Sequence, residues 1–279
     1  MRVDGCTALV TGGSSGIGLA AAELLAARGA RVALLARDPE RLAVAVNAVR
    51  SHATDASQQV LAISCDVSDR GQVVAAVREA EATLGPIDLL LNCAGYCTPG
   101  RFLELSEDEV ERQIRVNLLG TINPTRAVVL GMVKRGRGHI ANVASMGGYL
   151  GVYGYSGYSP AKFGVMGFSE VLRSEMCPHG VGVSVMCPPN VETPGYAREM
   201  TLEPEETAKI NGSVKAASPQ AMARVLLRAI ERDRYYVLPG LVNKLAFRLK
   251  GLVPEVFFYL FDRDVAAVRR DTAGSNHVS

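Results

Sequence analysis

Residues 6–18 read CTALVTGGSSGIG, and the stretch LAAAELLAARG follows through Gly29. The apolar run 6–11 has the length and composition of a buried strand. It feeds a glycine-rich turn, and the turn opens a helix. In that context the glycines carry a chemical meaning they lack in an isolated loop. Gly12 allows the turn, Gly16 lets a pyrophosphate approach the backbone, and Gly18 lets the helix close on the strand. The first helical amides and the helix dipole favour phosphate. The spacing is G-x-x-x-G-x-G. Contacts to a dinucleotide are expected from Gly12, Ser14, Ser15, Gly16, Ile17 and Gly18.

Outward from this turn, strands and helices alternate. Strands are expected at 31–36, 58–64, 87–91, 139–144, 181–187 and 235–238. Helical patterns occupy 69–84, 106–135, 158–177 and 219–232, with a further helix opening after Asp38. The alternation predicts an α/β fold: a single Rossmann-type, doubly wound parallel sheet with helices on both faces. Residues 1–240 are read as one domain. Residues 241–270 form an apolar and basic helical extension of it, and 271–279 a disordered tail. The polar, helix-prone segment 196–215 reads as a mobile lid.

Bulk properties exclude several classes. The chain has 279 residues and a net charge of +2, so no basic excess points to nucleic acid. Its six cysteines show no C-x-x-C pair and no metal-ligand spacing, which fits free buried thiols in a reducing compartment. There is no secretory signal pattern and no apolar run of the ~18–20 residues a membrane span needs. A cytoplasmic location is expected.

The second strand ends at Ala36 and Arg37, where an NAD site usually places an acid. An acid would repel a 2′-phosphate, whereas a guanidinium pairs with it. NADP(H) is therefore favoured over NAD(H), with Ser14 also within reach of that phosphate. Asp38, before Pro39, reads as a helix cap. Asp66, beside Val67 past the third strand, either accepts from an adenine amino group or is a turn acid. The small-residue turn at Asn92, Cys93, Ala94 and Gly95 lets a cofactor approach the backbone.

Tyr158 and Lys162 are four residues apart, so a helix places them on one face. A cation beside a phenol favours the phenolate, which suits proton exchange with an alcohol or carbonyl oxygen. Taken alone the pair fits an ordinary surface helix better than a catalytic site. Ser145 lies at the carboxyl end of the fifth strand, the edge where open α/β sheets bind ligands. Asn117 sits inside a helical stretch, where asparagine is a mediocre helix former.

Together, residues 11–18, Asp66, the turn 92–95, Asn117, Ser145 and the YSPAK stretch 158–162 resemble the short-chain dehydrogenase/reductases over roughly residues 4–240. The resemblance implies that Tyr158 is the general acid/base. It implies that Lys162 lowers the tyrosine pKa and holds the nicotinamide ribose. Ser145 would bond the substrate oxygen, and Asn117 would hold a water linking Lys162 to solvent. Val191 and Thr193 would contact the carboxamide, beside Pro188. A homodimer or homotetramer is implied as well. Two residues depart from the family pattern: Cys93 in the second turn, and Pro189 after Pro188.

A narrower resemblance, to 3-ketodihydrosphingosine reductases, rests on 85–102, 148–163, 187–196 and 258–270. It implies NADPH-dependent reduction of a long-chain ketone; the alternatives are another hydrophobic carbonyl, such as a steroid, a 3-oxoacyl thioester or a polyketide, and a non-catalytic NADP-binding regulator or scaffold. Residues 241–261 are apolar with Lys244, Arg248 and Lys250 interspersed, and Gly251 and Pro254 divide them into two short helices. Such a segment suits a peripheral membrane contact. Packing on another subunit or on the domain itself is the other reading.

Overall fold

A computed structural model of the chain describes residues 1–212 and 216–275. The strands are β1 (Thr7–Thr11), β2 (Arg31–Ala36), β3 (Val60–Ser64), β4 (Leu89–Asn92), β5 (Gly138–Val143), β6 (Val181–Met186) and β7 (Tyr236–Val237). They form one sheet in the order β3-β2-β1-β4-β5-β6-β7, and every pairing is parallel. This is the doubly wound architecture expected from the alternation. The order reverses between β1 and β4, so the carboxyl ends of those strands flank the crevice where ligands bind in such sheets.

The strands carry apolar residues on both faces because both are covered. Ala8, Val10, Val32, Leu34, Leu89 and Leu91 face α1 (Gly16–Ala26), α2 (Pro39–Arg50) and α9 (Pro219–Glu231). The alternate residues Leu9, Ala33, Leu35, Leu90 and Ile140 face α3 (Arg70–Leu84) and α5 (Gly120–Arg135), with Leu172 of α6 (Tyr158–Met176). The period of two along each strand thus builds two cores. Asp38 caps α2, accepting from the amides of Glu40 and Arg41 at 3.0 and 3.1 Å.

The expected helix over 106–135 is interrupted. α4 (Glu107–Ile114) passes into a π-helical turn, Arg115–Leu119, before α5 begins. Asn117 lies in that turn, fully buried. Pro124 removes one ladder bond from α5. The Thr121 and Thr125 hydroxyls take up the carbonyls of Asn117 and Thr121 at 2.9 and 2.8 Å.

The lid segment forms α7 (Pro194–Met200) and α8 (Glu205–Asn211), and its residues 213–215 lie outside the described ones. The apolar extension is two helices, α10 (Leu241–Leu252) and α11 (Pro254–Ser275). The break falls at Val253, and Gly251 is inside α10. α11 runs for 22 residues and so is not short. It continues to Ser275 through the start of the stretch expected to be disordered, and 276–279 lie outside the described residues. No helix of the described residues is long and apolar enough to cross a membrane.

Candidate active site

Ser145, Tyr158, Lys162 and Asn117 meet at the carboxyl edge of β4, β5 and β6. Ser145 leaves β5 in extended backbone, and its hydroxyl accepts the Gly147 amide at 3.0 Å. The amide of Met146 donates to the Pro188 carbonyl at 3.0 Å, which ties this turn to the loop after β6. Tyr158 opens α6, with Pro160 in the first turn where its missing N–H is harmless. One helical turn later Lys162 is buried, donates to the Val143 carbonyl at 2.9 Å, and lies 5.6 Å from the centre of the Tyr158 ring.

The electrostatics differ from the sequence expectation. Burial pushes the Tyr158 phenol above its ordinary range, with Cys97 and Glu199 acting the same way and the Ser145 hydroxyl opposing them. Burial also lowers the Lys162 ammonium from 10.5 to about 8. Desolvation of the phenolate is the largest cause of the Tyr158 shift. Lys162 is the group brought closest to neutrality, so it can both hold and pass on a proton.

Asn117 is held by its side chain. Nδ2 donates to the carbonyls of Tyr96 and Gln113 at 2.8 and 2.9 Å, and Oδ1 accepts the Tyr96 amide at 3.3 Å. Both side-chain donors are spent. Its backbone carbonyl accepts the Thr121 hydroxyl at 2.9 Å. Gly95 fits between these groups: a Cβ there would lie 2.6 Å from Asn117 Oδ1 and 3.3 Å from Lys162 Nζ.

The dinucleotide cradle lies beside this cluster. Gly12 has φ +65°, and a Cβ on it would stand 2.8 Å from the Ala94 backbone. A Cβ on Gly18 would stand 2.5 Å from the Gly12 carbonyl, so Gly18 closes helix on turn rather than on strand. Side chains cap α2, α3, α4 and α9, but Ser15 makes no side-chain cap on α1. Among the described residues no side chain caps the first amides of α1, including that of Ile17, which suits them to an acceptor from outside. Ser14 is half-buried. Together with the bare backbone at the two turns, these residues fit a dinucleotide pyrophosphate.

Other expected contacts are distributed around this cradle. Arg37 is exposed at the end of β2, and no described residue forms an ion pair with its guanidinium. One oxygen of Asp66 accepts the Ser68 amide and hydroxyl at 2.9 and 2.7 Å, while Asp69 caps α3. Val67 is buried against Gly120. The Asn92 side chain points away from the crevice, donating to Asn142 Oδ1 at 2.9 Å and Thr125 Oγ1 at 3.1 Å. Thr193 caps α7, and its methyl faces Gly16. Val191 bridges to Ala217.

Three features escaped the sequence. Thr11 Oγ1 accepts the amides of Cys93 and Ala94, both at 3.2 Å, and so fixes the second turn. Asn142 links Asn92 to Ser169 at 2.9 Å beneath the site. Asn243 of α10 bonds Tyr149 Oη at 2.5 Å and the Cys187 carbonyl at 2.6 Å, seating the C-terminal helix under the site. Only Thr11, inside the glycine motif, carried a signal. A separate cavity of about 790 Å³ opens among Asp88, His139, Gly182 and Asp233 at the opposite edge of the sheet and holds none of the expected site residues.

Residues 6–203 match the family described as short chain dehydrogenase. The chain belongs to the short-chain dehydrogenase/reductase family. This makes it an oxidoreductase built around a nicotinamide cofactor. Among its relatives, the 3-dehydrosphinganine reductase of Danio rerio is 39% identical over 229 residues, covering 82% of this chain and 69% of that protein. The 3-ketodihydrosphingosine reductase of Dictyostelium discoideum is 34% identical over 284 aligned positions, covering 96% and 85%. A crystal structure of a short-chain dehydrogenase/reductase from Burkholderia phymatum in complex with NAD aligns with a TM-score of 0.81 at 27% identity, covering 92% of this chain and 96% of that one.

Proposed function

We propose that this short-chain dehydrogenase/reductase reduces the ketone of a long-chain 2-amino-3-ketone, of the 3-ketosphinganine class, to the secondary alcohol with NADPH. The observation that carries this reading is the similarity to reductases of that name, which extends into the C-terminal helices. Glycines 12, 16 and 18, with Ser14, Ser15 and Ile17, would hold the pyrophosphate, and Ala94 and Gly95 the backbone approach. Asn92 would act by shaping that turn. Arg37 would pair with the 2′-phosphate, Asp66 and Val67 would meet the adenine, and Pro188, Val191 and Thr193 the carboxamide end. When bound, the nicotinamide supplies hydride to the carbonyl carbon.

The remaining chemistry falls to the side chains. Tyr158 gives its phenolic proton to the ketone oxygen as that oxygen gains charge. Ser145 bonds the same oxygen and stabilises the charge. A raised phenol pKa suits this direction, since it keeps Tyr158 protonated until the oxygen is basic enough to take the proton. Lys162 holds the cofactor ribose and returns a proton to Tyr158. The Asn117 carbonyl orients the water that resupplies Lys162.

The C-terminal helices support a peripheral lipid contact. α10 is seated through Asn243 and Phe247, while Leu241, Val242 and Leu252 on it are at least 77% exposed. Lys244 and Arg248 are exposed among them. This is the composition of an interfacial helix.

The deciding experiment follows NADPH oxidation with 3-ketosphinganine, with NADH and a panel of steroid and 3-oxoacyl ketones beside it. Turnover of the sphingoid ketone, with at least ~10-fold lower kcat/KM for NADH that narrows in Arg37→Ala, is the expected result. Turnover confined to another ketone would refute the substrate. Equal use of both cofactors, unchanged in Arg37→Ala, would refute the cofactor.

A further inference from the structure

The roles above leave one carboxylate beside the catalytic tyrosine unused. Glu199 lies on α7 and is half-buried. Its Oε1 accepts the Tyr155 hydroxyl proton. The Tyr155 ring meets the Tyr158 ring edge-on, 5.7 Å between centroids. Asn211 of α8 donates to the Tyr155 hydroxyl at 3.3 Å and to Glu203 Oε2 at 3.0 Å, so Tyr155 is held from both sides.

Glu199 has no cationic partner among the described residues. The nearby ion pairs of the lid join Arg101 to Glu104 and to Glu206 instead. A carboxylate withdrawn from water without a counter-ion is unfavourable. Burial raises its pKa, with Glu203 adding to the effect, and its charge is felt at Tyr158. An incoming cation would relieve this cost.

We propose that Glu199 receives the ammonium of a 2-amino-ketone and so sets the orientation in which the carbonyl meets Tyr158. The inference rests on the substrate reading given above. In that substrate class the amine-bearing carbon adjoins the ketone, so the groups recognising them must sit side by side. Tyr158 and the Tyr155–Glu199 pair do so. Glu199 Oε2 accepts no hydrogen bond from any described residue, whereas Glu203 is already engaged by Asn211.

The test compares kcat/KM for a long-chain 2-amino-3-ketone with that for the same ketone lacking the amine. Wild type is expected to prefer the amine by about 10- to 100-fold, the range of a charge-assisted hydrogen bond. In Glu199→Gln that ratio falls toward one, and Glu199→Asp keeps most of it. The ratio is internal to each protein, so partial loss of folded enzyme does not disturb it. A wild-type ratio near one, or an undiminished ratio in Glu199→Gln, overturns the inference while leaving sphingoid-ketone turnover intact. Failure of the substrate reading looks different: both long-chain ketones are then poor beside another carbonyl. A short aminoketone and its des-amino parent then give the same ratio test, and absence of an amine preference there also overturns the inference.

Discussion

The glycine-rich turn after β1 and the segment after β6 touch at Gly16 and Thr193, yet they are made by opposite means. The turn is built from backbone. Its Gly12 and Gly18 lie where a Cβ would strike main-chain atoms at 2.8 and 2.5 Å, and no side chain caps the helix it opens. The substrate side is built from side chains: Tyr155 on Glu199, Arg101 and Tyr153 on Glu206, and Asn243 on Tyr149. A backbone site specifies a ligand common to many proteins and tolerates almost no change. A side-chain site can be altered residue by residue, which suits it to choosing a substrate.

The largest expected effect breaks the chemistry and spares the cradle. Tyr158→Phe removes the proton donor, and kcat should fall by about 10²–10⁴-fold. NADPH affinity, read by fluorescence titration, should stay within about threefold, the spread expected of a neighbouring contact. Retained turnover would sink the assignment of Tyr158.

Gly18→Ala attacks the other side. The new Cβ would meet the Gly12 carbonyl at 2.5 Å, and neither atom can swing away. Strain of this kind costs about 1–3 kcal/mol. Because it displaces the turn itself, NADPH affinity should fall by roughly 100-fold, the equivalent of about 3 kcal/mol. Normal NADPH binding in this variant would mean that the turn relaxes, and the contrast between the two regions would lose its physical basis.

That contrast also explains what was legible in the sequence. Gly12, Gly16 and Gly18 are forced choices, so a strand, three glycines and a helix announce the turn. Tyr158 and Lys162 are visible because a helix fixes their spacing, and Ser145 because it ends a strand. The sheet followed from alternation. The pairings that complete the site join residues far apart in the chain: 44 positions for Tyr155 and Glu199, 50 for Asn92 and Asn142, 94 for Tyr149 and Asn243. No local pattern encodes those. The π-helical turn at Asn117 was hidden because apolar periodicity runs on through it. The raised pKa of Tyr158 is not legible because its main cause, burial, is invisible in the sequence.

Lys162 sharpens the comparison with a pH-dependent effect. Its depressed pKa means that the folded state holds this proton less tightly than the unfolded chain. Below about pH 8 both states are protonated, and the full penalty of burying the ammonium is present. As pH rises from about 8 toward 10.5 the folded lysine becomes neutral first and the penalty shrinks. A shift of this size corresponds to about 3 kcal/mol. Losing the hydrogen bond to the Val143 carbonyl returns about 1 kcal/mol. Lys162→Met should therefore raise stability at pH 7 by about 2 kcal/mol, a Tm gain of roughly 4–8 °C. The gain should fade by pH 10. A variant less stable than wild type at pH 7 would show that the ammonium is compensated by groups other than those named.

The smallest expected effect concerns the lid. Arg101 grips the buried Glu206 through two hydrogen bonds, Nε to Oε1 at 3.3 Å and Nη2 to Oε2 at 3.0 Å. Tyr153 adds a bond to Oε1 at 3.2 Å, and Thr207 ties back to the Tyr153 carbonyl at 2.8 Å. Burial alone would raise the Glu206 pKa, but the Arg101 hydrogen bonds prevail and hold it below the ordinary value. The latch is thus present above that depressed pKa and weakens as pH falls through it. Arg101→Ala leaves the carboxylate with Tyr153 as its remaining side-chain donor and frees α8 from the 101–104 loop. Ketone KM should rise about three- to tenfold, the scale of one or two lost hydrogen bonds in a partly exposed setting. Acidification should add little to the variant's KM, because the latch it would loosen is already open. Arg101→Lys keeps the charge without the fork and should fall between the two. NADPH affinity should not change in either variant, since the cradle takes nothing from α8. A parallel loss of NADPH affinity would mean that lid and cradle are one mechanical unit, joined through the contact of Thr193 with Gly16.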